Sequence, residues 1–441
     1  MRIMVIGVGG VGSRVVEQLH REHEIVAIDR DEGHCGAISY RYDIMAIRGN
    51  GASLRVLKQA GIEETDMVIA STNVDEVNFV ASVIAKQLGV PKTIARVHDP
   101  EYLETWKANR RGLGVDFMVC SEVVTAEVIA RIIGMPEADY VDLFADGRIQ
   151  MVELKVSEGS PLAGLRIVEA KVPRPCMIVS ILRGEEVIIP RGDDRIQAGD
   201  RVVVIGTGEA AGPFIRKLSD RRERARDVVI IGGGRIGFKM AQMLESTGLK
   251  LRVIERDEER SEFIASELHR TLVLRNDGTD LDFLEREKVG EADVVVSVVD
   301  SDEKNLLSSL LVKKLGANKT IAVVANPDFA ELFAAVGVDV VISPHILMAE
   351  QIIRFTRGPK IGAVSLIGTD KAEVLQMEVS ASSQISGKPL KAVTFPYGSI
   401  IGAIVRDGQA IVPDGEATLQ PGDTIIVFSK KEQVKAVEAL L

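Results

Sequence analysis

GVGGVG at Gly7–Gly12 recurs as GGGRIG at Gly232–Gly237, and this pair of glycine loops decides the fold. Each loop follows an apolar, β-branched run, Ile3–Ile6 in one case and Val228–Ile231 in the other, and each opens a helical pattern. In that setting a GxGxxG spacing reads as the turn of a dinucleotide-binding βαβ unit. The first glycine permits the tight turn, the second lets backbone approach a pyrophosphate, and the third lets the helix pack on its strand. Gly7, Gly9 and Gly12 take these roles in the first loop, and Gly232, Gly234 and Gly237 in the second. Phosphates are expected at the helix N-terminus, where free N–H groups and the helix dipole favour anions. The intervening Val8, Gly10 and Val11, and Gly233, Arg235 and Ile236, belong to the same candidate sites.

Working outward, the similarity stays in register. The loops are offset by 225 residues, AIDRD ending at Asp31 and VIERD ending at Asp257 by 226, and Asp66–Asn78 and Asp293–Asn305 by 227. TIARVHDP (Thr93–Pro100) matches TIAVVANP (Thr320–Pro327) at 227, and PRGDDRIQAGD (Pro190–Asp200) matches PDGEATLQPGD (Pro413–Asp423) at 223. A repeat half the chain long means duplicated domains, not a solenoid.

Within the first half, short apolar runs alternate with helical stretches: Ile3–Ile6, Ile25–Ile28, Met45–Ile47, Met67–Ala70, Thr93–Val97 and Phe117–Val119. The second half repeats them at Val228–Ile231, Arg252–Ile254, Thr271–Leu274, Val294–Val298, Thr320–Val324 and Val340–Ile342. Continuously apolar strands separated by helices predict an α/β fold, a doubly wound parallel sheet covered on both faces. Past Gly134 and Pro136 the texture changes to β-type alternation, in Met151–Val156, Cys176–Leu182 and Arg201–Gly206, and again in Val374–Val379, Ile400–Val405 and Asp423–Phe428. Gly199–Asp200 and Gly422–Asp423 supply a turn before the last strand. The predicted division is two Rossmann-like domains, 1–134 and 219–357, each followed by a small α+β domain, 135–218 and 358–441. The charged stretch Arg216–Arg226 between the halves reads as a solvated linker or helix end.

The acidic residue ending the second strand narrows the ligand. Asp29 follows Gly12 by 17 residues and Glu255 follows Gly237 by 18. A carboxylate there accepts hydrogen bonds from ribose hydroxyls and repels a 2′-phosphate, which favours NAD or an adenosine nucleotide over NADP. Arg30 and Arg256 come next and face either adenine or solvent. Further candidates follow the third and fourth strands, where open α/β sheets place ligands: Asn50 and Gly51, Ser71, Thr72 and Asn73, and, in the second half, Asp277, Gly278, Val298 and Val299. Arg96, near the end of the fifth strand, has Val323 as its counterpart, and Arg235 stands where the first loop has Gly10. Each arginine is either a phosphate contact or a solvated side chain. The two sites therefore share a frame and place positive charge differently.

Other signals exclude function classes. A net charge of -10 argues against nucleic-acid binding, which needs a basic field. Cys35, Cys120 and Cys176 are scattered, without a CxxC pair, which fits a reducing cytoplasm. The first apolar strand begins at once, with no room for a signal peptide, and no apolar run approaches the ~18 residues of a membrane helix. A dehydrogenase needs a proton donor or acceptor beside the hydride, yet none of His20, His23, His34, His98, His269 and His345 recurs at an equivalent position of the repeat. No nucleophile elbow, HExxH or Walker A sequence appears. The expectation is a nucleotide sensor without a catalytic site or a bound metal.

These residues resemble a known family. GVGGVGS, the Asp29/Glu255 strand ends, GNGAS/NDGTD and the DxVIAxTxxDExN stretch resemble the RCK or KTN regulatory domain. Their alternation with a small domain ending in xxGDxxxVxG resembles the TrkA family of cytosolic subunits of Trk potassium-uptake systems, over essentially the whole chain. The resemblance implies NAD(H), ATP or ADP at the glycine loops, and a ring, typically a homotetramer, under a membrane-embedded potassium-transporting pore subunit. It also implies a cytoplasmic protein peripheral to the inner face of the membrane. The helices around Ala126–Ile133 and Ala349–Phe355 would cross to the small domains, and Arg235 matches a phosphate-contacting arginine that Gly10 lacks. The competing readings are an NAD-dependent oxidoreductase with duplicated Rossmann domains and a ligand-sensing gate of another ion transporter.

Overall fold

The computed structural model of the chain describes residues 1–109, 112–184, 186–219, 225–356, 361–367 and 371–440. Six strands, β1 (Arg2–Ile6), β2 (Glu24–Asp29), β3 (Met45–Arg48), β4 (Met67–Ala70), β5 (Lys92–Val97) and β6 (Phe117–Cys120), form a parallel sheet in the order β3-β2-β1-β4-β5-β6. Helices α1 (Gly10–Leu19), α2 (Glu32–Tyr42), α3 (Leu54–Gln59), α4 (Asp75–Gln87), α5 (Pro100–Ala108) and α6 (Ser121–Gly134) connect and follow them. Strand alternation sends Ile3, Val5, Ala27 and Ile69 into one core cluster and Met4, Ile6, Val26 and Val68 into another, which is why the strands are apolar throughout. The order reverses between β1 and β4, so a crevice opens outside their carboxyl ends.

Next come β7 (Tyr140–Phe144), β8 (Ile149–Lys155), β9 (Cys176–Arg183), β10 (Glu186–Ile188) and β11 (Arg201–Gly206), in the antiparallel order β10-β9-β11-β8-β7, and α7 (Gly208–Leu218). The second half repeats the Rossmann arrangement. Strands β12 (Asp227–Ile231), β13 (Lys250–Glu255), β14 (Thr271–Arg275), β15 (Val294–Ser297), β16 (Lys319–Val323) and β17 (Val340–Ile342) lie in the order β14-β13-β12-β15-β16-β17. Their helices are α8 (Arg235–Leu244), α9 (Glu258–Glu267), α10 (Leu281–Arg286), α11 (Asp302–Lys314), α12 (Ala330–Ala335) and α13 (Pro344–Thr356). The last sheet, β18 (Ile361–Ile367), β19 (Ala372–Glu378), β20 (Ser399–Arg406), β21 (Gln409–Ile411) and β22 (Thr424–Lys430), has the order β18-β19-β22-β20-β21, and α14 (Val434–Glu438) follows. Of the charged stretch Arg216–Arg226, residues 220–224 lie outside the described residues.

The sequence reading finds three strands in each small domain; each sheet has five. β10 and β21 are three-residue hairpin partners, too short to show alternation. β7 carries Asp142 in a buried position, which masks its pattern. The expected Gly-Asp turns are pinned in both copies: Gly199 and Gly422 take φ of 87° and 89°. The Asp200 carboxylate accepts from Arg183 Nε at 2.9 Å and Nη2 at 2.8 Å, and Asp423 accepts from Arg406 at 2.8 and 2.7 Å.

Spatially the four sheets group in pairs. One compact unit holds Met1–Ala130 and Arg226–Phe355, the other Arg131–Ala225 and Thr356–Leu441; two of the three boundaries fall inside the crossover helices α6 and α13, and the third just before β12. In the first unit α13 docks on the first half's sheet: Met348, Ala349, Ile352 and Ile353 join the cluster of Ile3, Val5 and Ile69 with Val11, Val15 and Val16 of α1. Phe355 stacks on Phe117, ring centroids 4.8 Å apart. Burying each larger apolar side chain contributes about 1.5–3 kcal/mol, so α13 of the second half is anchored in the first half's core, while the second sheet keeps clusters of its own. In the second unit Val179, Val203 and Ile205 pack with Val374, Ala403 and Phe428 of the other small sheet.

Candidate functional site

Both glycine loops open onto cavities at the switch point of their sheets. The first, about 210 Å³, is lined by Gly7, Gly9, Asp29, Arg30, Gly51, Ser71, Thr72 and Asn73 among the candidates, with Asp31, His34, Val74 and Val77 besides. The second, about 420 Å³, is lined by Gly232, Gly234, Glu255, Arg256, Asp277, Gly278, Val298 and Val299, with Asp257, Arg260, Asp300 and Lys304 besides.

The glycines differ in what they do. Gly7 and Gly232 have φ of 86° and 111°, and a Cβ on either would strike the backbone of Thr72 or Val298 at 2.6 Å. A Cβ on Gly12 or Gly237 would lie 1.9 Å from the carbonyl oxygen of Gly7 or Gly232, so helix and strand touch there. A Cβ on Gly51 or Gly278 would meet Ile6 or Ile231. Around Gly9 and Gly234 a Cβ meets nothing within 4 Å, and φ is -70° and -61°. The packing of the fold does not need glycine at these two positions.

The acids at the strand ends are held toward the loops. Asp29 Oδ2 accepts from Val8 N at 2.7 Å and its Oδ1 from Asp31 N at 2.9 Å; Glu255 accepts from Gly233 N at 2.7 Å and Asp257 N at 2.9 Å. Each oxygen keeps a lone pair for a ribose hydroxyl. The far wall is fixed by a buried amide. Asn78 Oδ1 accepts from Thr72 N at 2.8 Å, while its Nδ2 donates to the carbonyls of Thr72 and Arg96, both at 2.9 Å. Asn305 does the same for Val299 and Val323. Sequence reasoning left these asparagines out of the site, although both close the matched stretch that ends at Asn78 and Asn305.

Other candidates stand apart from the cavities. Val11, Gly12 and Gly237 are buried in the first helical turns, Ile236 is partly buried, and Val8 and Gly233 contribute backbone N–H groups to the acids. Asn50 is exposed and its Oδ1 closes a turn on Ala52 N. Arg235 is exposed at the start of α8. Arg96 is neither at the cavity wall nor solvated: it is 4% exposed, and burial lowers its pKa against the pull of Glu122 and Asp75. Beside it burial would raise the Glu122 carboxyl, but hydrogen bonds from His98 and Ser121 hold it below its usual value. Burial pushes the Cys120 thiol up to about 12, so it is not a thiolate.

The second cavity contains cations that the sequence reading did not single out. Arg260, aligned with His34, donates from Nε to the Gly233 carbonyl at 2.8 Å and lies over the rings of Phe238 and Phe263. Lys304, aligned with Val77, pairs with Asp277 at 2.9 Å, and this hydrogen bond holds the Asp277 carboxyl down at about 2. His34 Nδ1 lies 3.6 Å from Asp29. Among the described residues no three His, Cys, Asp or Glu side chains are grouped to hold a metal ion. No described helix is long and apolar enough to cross a membrane.

Comparison with known proteins fits this geometry. The model of the TrkA-N domain matches residues 3–121 and 228–344, and that of the TrkA-C domain matches 151–219 and 374–441. The chain belongs to the TrkA family. It is 35% identical to the Trk system potassium uptake protein TrkA homolog 2 of Methanosarcina mazei and 36% identical to the TrkA homolog of Archaeoglobus fulgidus, each over 100% of both chains. The TrkA protein of Halomonas elongata is 32% identical over 100% of this chain and 98% of its own. Among solved structures, the GsuK channel bound to NAD superposes with a TM-score of 0.65 at 18% identity, covering 100% of this chain and 78% of that one. The GsuK RCK domain gives 0.63 at 19% identity, covering 99% and 94%. These likenesses establish the RCK fold of the chain.

Proposed function

We propose that the chain is the nucleotide-sensing regulatory subunit of a Trk-type potassium-uptake system, with an adenine nucleotide or dinucleotide at each glycine loop. The observation that carries this reading is Gly9 and Gly234: each is glycine with free space above it, at the wall of a cavity flanked by a strand-end acid. Asp29 and Glu255 would hold the ribose, and the N-termini of α1 and α8 the phosphates. NAD(H) fits both acids, and ATP or ADP presents the same adenosine and phosphate groups. The GsuK structures with NAD and with ADP, the latter at a TM-score of 0.51 and 15% identity over 80% of this chain and 68% of that one, carry either ligand.

The role is regulatory rather than catalytic. The working division is the four domains 1–134, 135–218, 219–357 and 358–441, in a homotetrameric ring on the cytoplasmic side of a membrane-embedded pore subunit. A ligand biases such a ring only through its difference in affinity between states. Moving a population from 1:99 to 99:1 takes about 5.5 kcal/mol; shared over two sites in each of four chains that is roughly 0.7 kcal/mol per site.

The test is calorimetric titration of the full chain and of Gly9→Ala and Gly234→Ala with NAD, NADH, ATP and ADP. Binding that each substitution weakens is expected. The reading fails if no nucleotide binds or if neither substitution matters. Turnover of NADH with any substrate would favour an oxidoreductase instead.

A further inference from the structure

One stretch of wall is charged in the second cavity and apolar in the first. Lys304, the third residue of α11, donates from Nζ to Asp277 Oδ2 at 2.9 Å, and both residues line the second cavity. The aligned positions of the first half are Val77, which lines its cavity together with Val74, and Asn50, which stands apart from it. With side chains 39% and 38% exposed, the pair contributes only about 0–1 kcal/mol to the fold. Stability accounts for little of its placement.

The strand order determines which part of a nucleotide meets this wall. β12, β13 and β14 lie side by side and parallel, with Ile231 level with Ile254 and Glu255 level with Arg275. The glycine loop follows β12, Glu255 ends β13, and Asp277 stands two residues past the end of β14. Neighbouring strands are ~4.8 Å apart. With phosphates at the loop and ribose at the acid, the next step along the sheet brings the base to Asp277. Hydrogen-bonding capacity is left there. Asp277 Oδ1 is occupied by Thr279 N at 3.0 Å and Thr279 Oγ1 at 2.7 Å, whereas among the described residues Oδ2 accepts from Lys304 alone. A carboxylate oxygen accepts twice and an ammonium donates three times, so the pair keeps an acceptor and further donors free.

We propose that Asp277 and Lys304 read the edge of the base at the second site: the carboxylate accepts from the exocyclic amino group of adenine, and the ammonium donates to the neighbouring ring nitrogen. This rests on the nucleotide reading above. At the first site Val74 and Val77 offer the base apolar contact without such pairing. Two copies of one frame thus hold the same base by different means, and the second is selective for the amino group.

The experiment uses the full chain carrying Gly9→Ala, which leaves the second site open. It is titrated calorimetrically at neutral pH with ADP and with purine riboside 5′-diphosphate, which lacks the amino group. The analogue is expected to bind about tenfold more weakly than ADP, or worse. In the full chain carrying Gly234→Ala instead, which leaves the first site open, the two ligands should differ by less than about threefold. Adding Lys304→Val to the Gly9→Ala chain should shrink its ratio toward that of the first site. So should Asp277→Asn, which keeps an acceptor for Thr279 and puts a donor in place of Oδ2. Circular dichroism of each variant checks that folding is retained. Equal binding of the two ligands by the Gly9→Ala chain, or a ratio that survives both added substitutions, overturns the proposal and leaves the nucleotide reading standing. No binding of ADP to the unaltered chain overturns both.

Discussion

Alanine at Gly9 and alanine at Gly12, three residues apart in one loop, should have opposite consequences. A Cβ on Gly12 falls 1.9 Å from the Gly7 carbonyl oxygen. That carbonyl cannot give way cheaply: Ser71 Oγ donates to it at 2.9 Å, and Gly7 N donates to Ile28 O at 2.7 Å. Helix α1 would have to move by more than ~1 Å, and overpacking of this kind costs about 1–3 kcal/mol. With backbone on both sides the upper part of that range applies. At about 2–4 °C per kcal/mol for a unit of this size, Gly12→Ala should lower the melting temperature by roughly 4–12 °C. Gly9→Ala meets nothing within 4 Å, keeps an allowed φ of -70°, and loses only the preference for glycine at an N-cap, within about 1 kcal/mol. On the proposed reading its methyl group would stand where phosphates approach, so ADP affinity should fall about tenfold or more. Thermal melts and calorimetry on the two variants decide the matter. A Gly12→Ala chain that melts with the wild type, or a Gly9→Ala chain that binds ADP as well as the wild type at the first site, would refute the reasoning.

Two further outcomes follow from the same physics. Asn78→Ala strips partners from Thr72 N, Thr72 O and Arg96 O at a site with 0% exposure; it should cost about 3 kcal/mol, read as a lowered urea midpoint, and weaken nucleotide binding through Thr72. The Asp423 carboxyl is pulled below its usual pKa, because hydrogen bonds from Arg406 and Gln420 N outweigh the upward push of burial. Its stabilisation is complete above about pH 4 and is lost as the pH falls through the lowered native value. Asp423→Asn should therefore melt below the wild type at pH 7, with the gap closing in acid; a gap that stays constant down to pH ~2 would contradict the assignment.

The repeat and both Rossmann sheets are legible in the sequence because each strand is apolar on two faces and each loop places glycine at three geometrically demanding points. Five-stranded small sheets are less legible, since β10 and β21 are shorter than the period that would reveal them. The cavity walls contributed by glycine, strand-end acid and Thr72 can be read from spacing. Asn78 and Asn305 could also have been found, because an asparagine repeated at the end of a matched stretch, inside a helix where it is a poor former, asks for a buried partner. Arg260 carried a weaker signal, a cation three residues past the repeated Asp257 where the other half has His34. Nothing local could place His345 on Gly10 or bury Arg96. The first follows from one half's crossover helix docking on the other half's sheet, and tertiary pairing of that kind leaves no spacing in the chain.

The two sites diverge at positions that the duplication keeps aligned, and the differences share a direction. In the second cavity Lys304 stands where the first has Val77 and Arg260 where the first has His34, and Asp277 lines it whereas its counterpart Asn50 stands apart from the first. The hydrogen bonds from Lys304 and Thr279 hold the Asp277 carboxyl down at about 2, so this carboxylate stays charged at neutral pH. The first cavity has instead a histidine at its wall, His34, 3.6 Å from Asp29, and a second, His345, lies against its glycine loop. One frame thus carries a lysine–aspartate pair and an arginine in one copy and a histidine in the other, while α13 of the second half packs against α1 of the first. Titrating each site alone with ADP, with the other closed by Gly9→Ala or Gly234→Ala, separates the two: the second site, with Arg260 at its wall where the first has His34, should bind the anion more tightly, and equal affinities would remove the distinction.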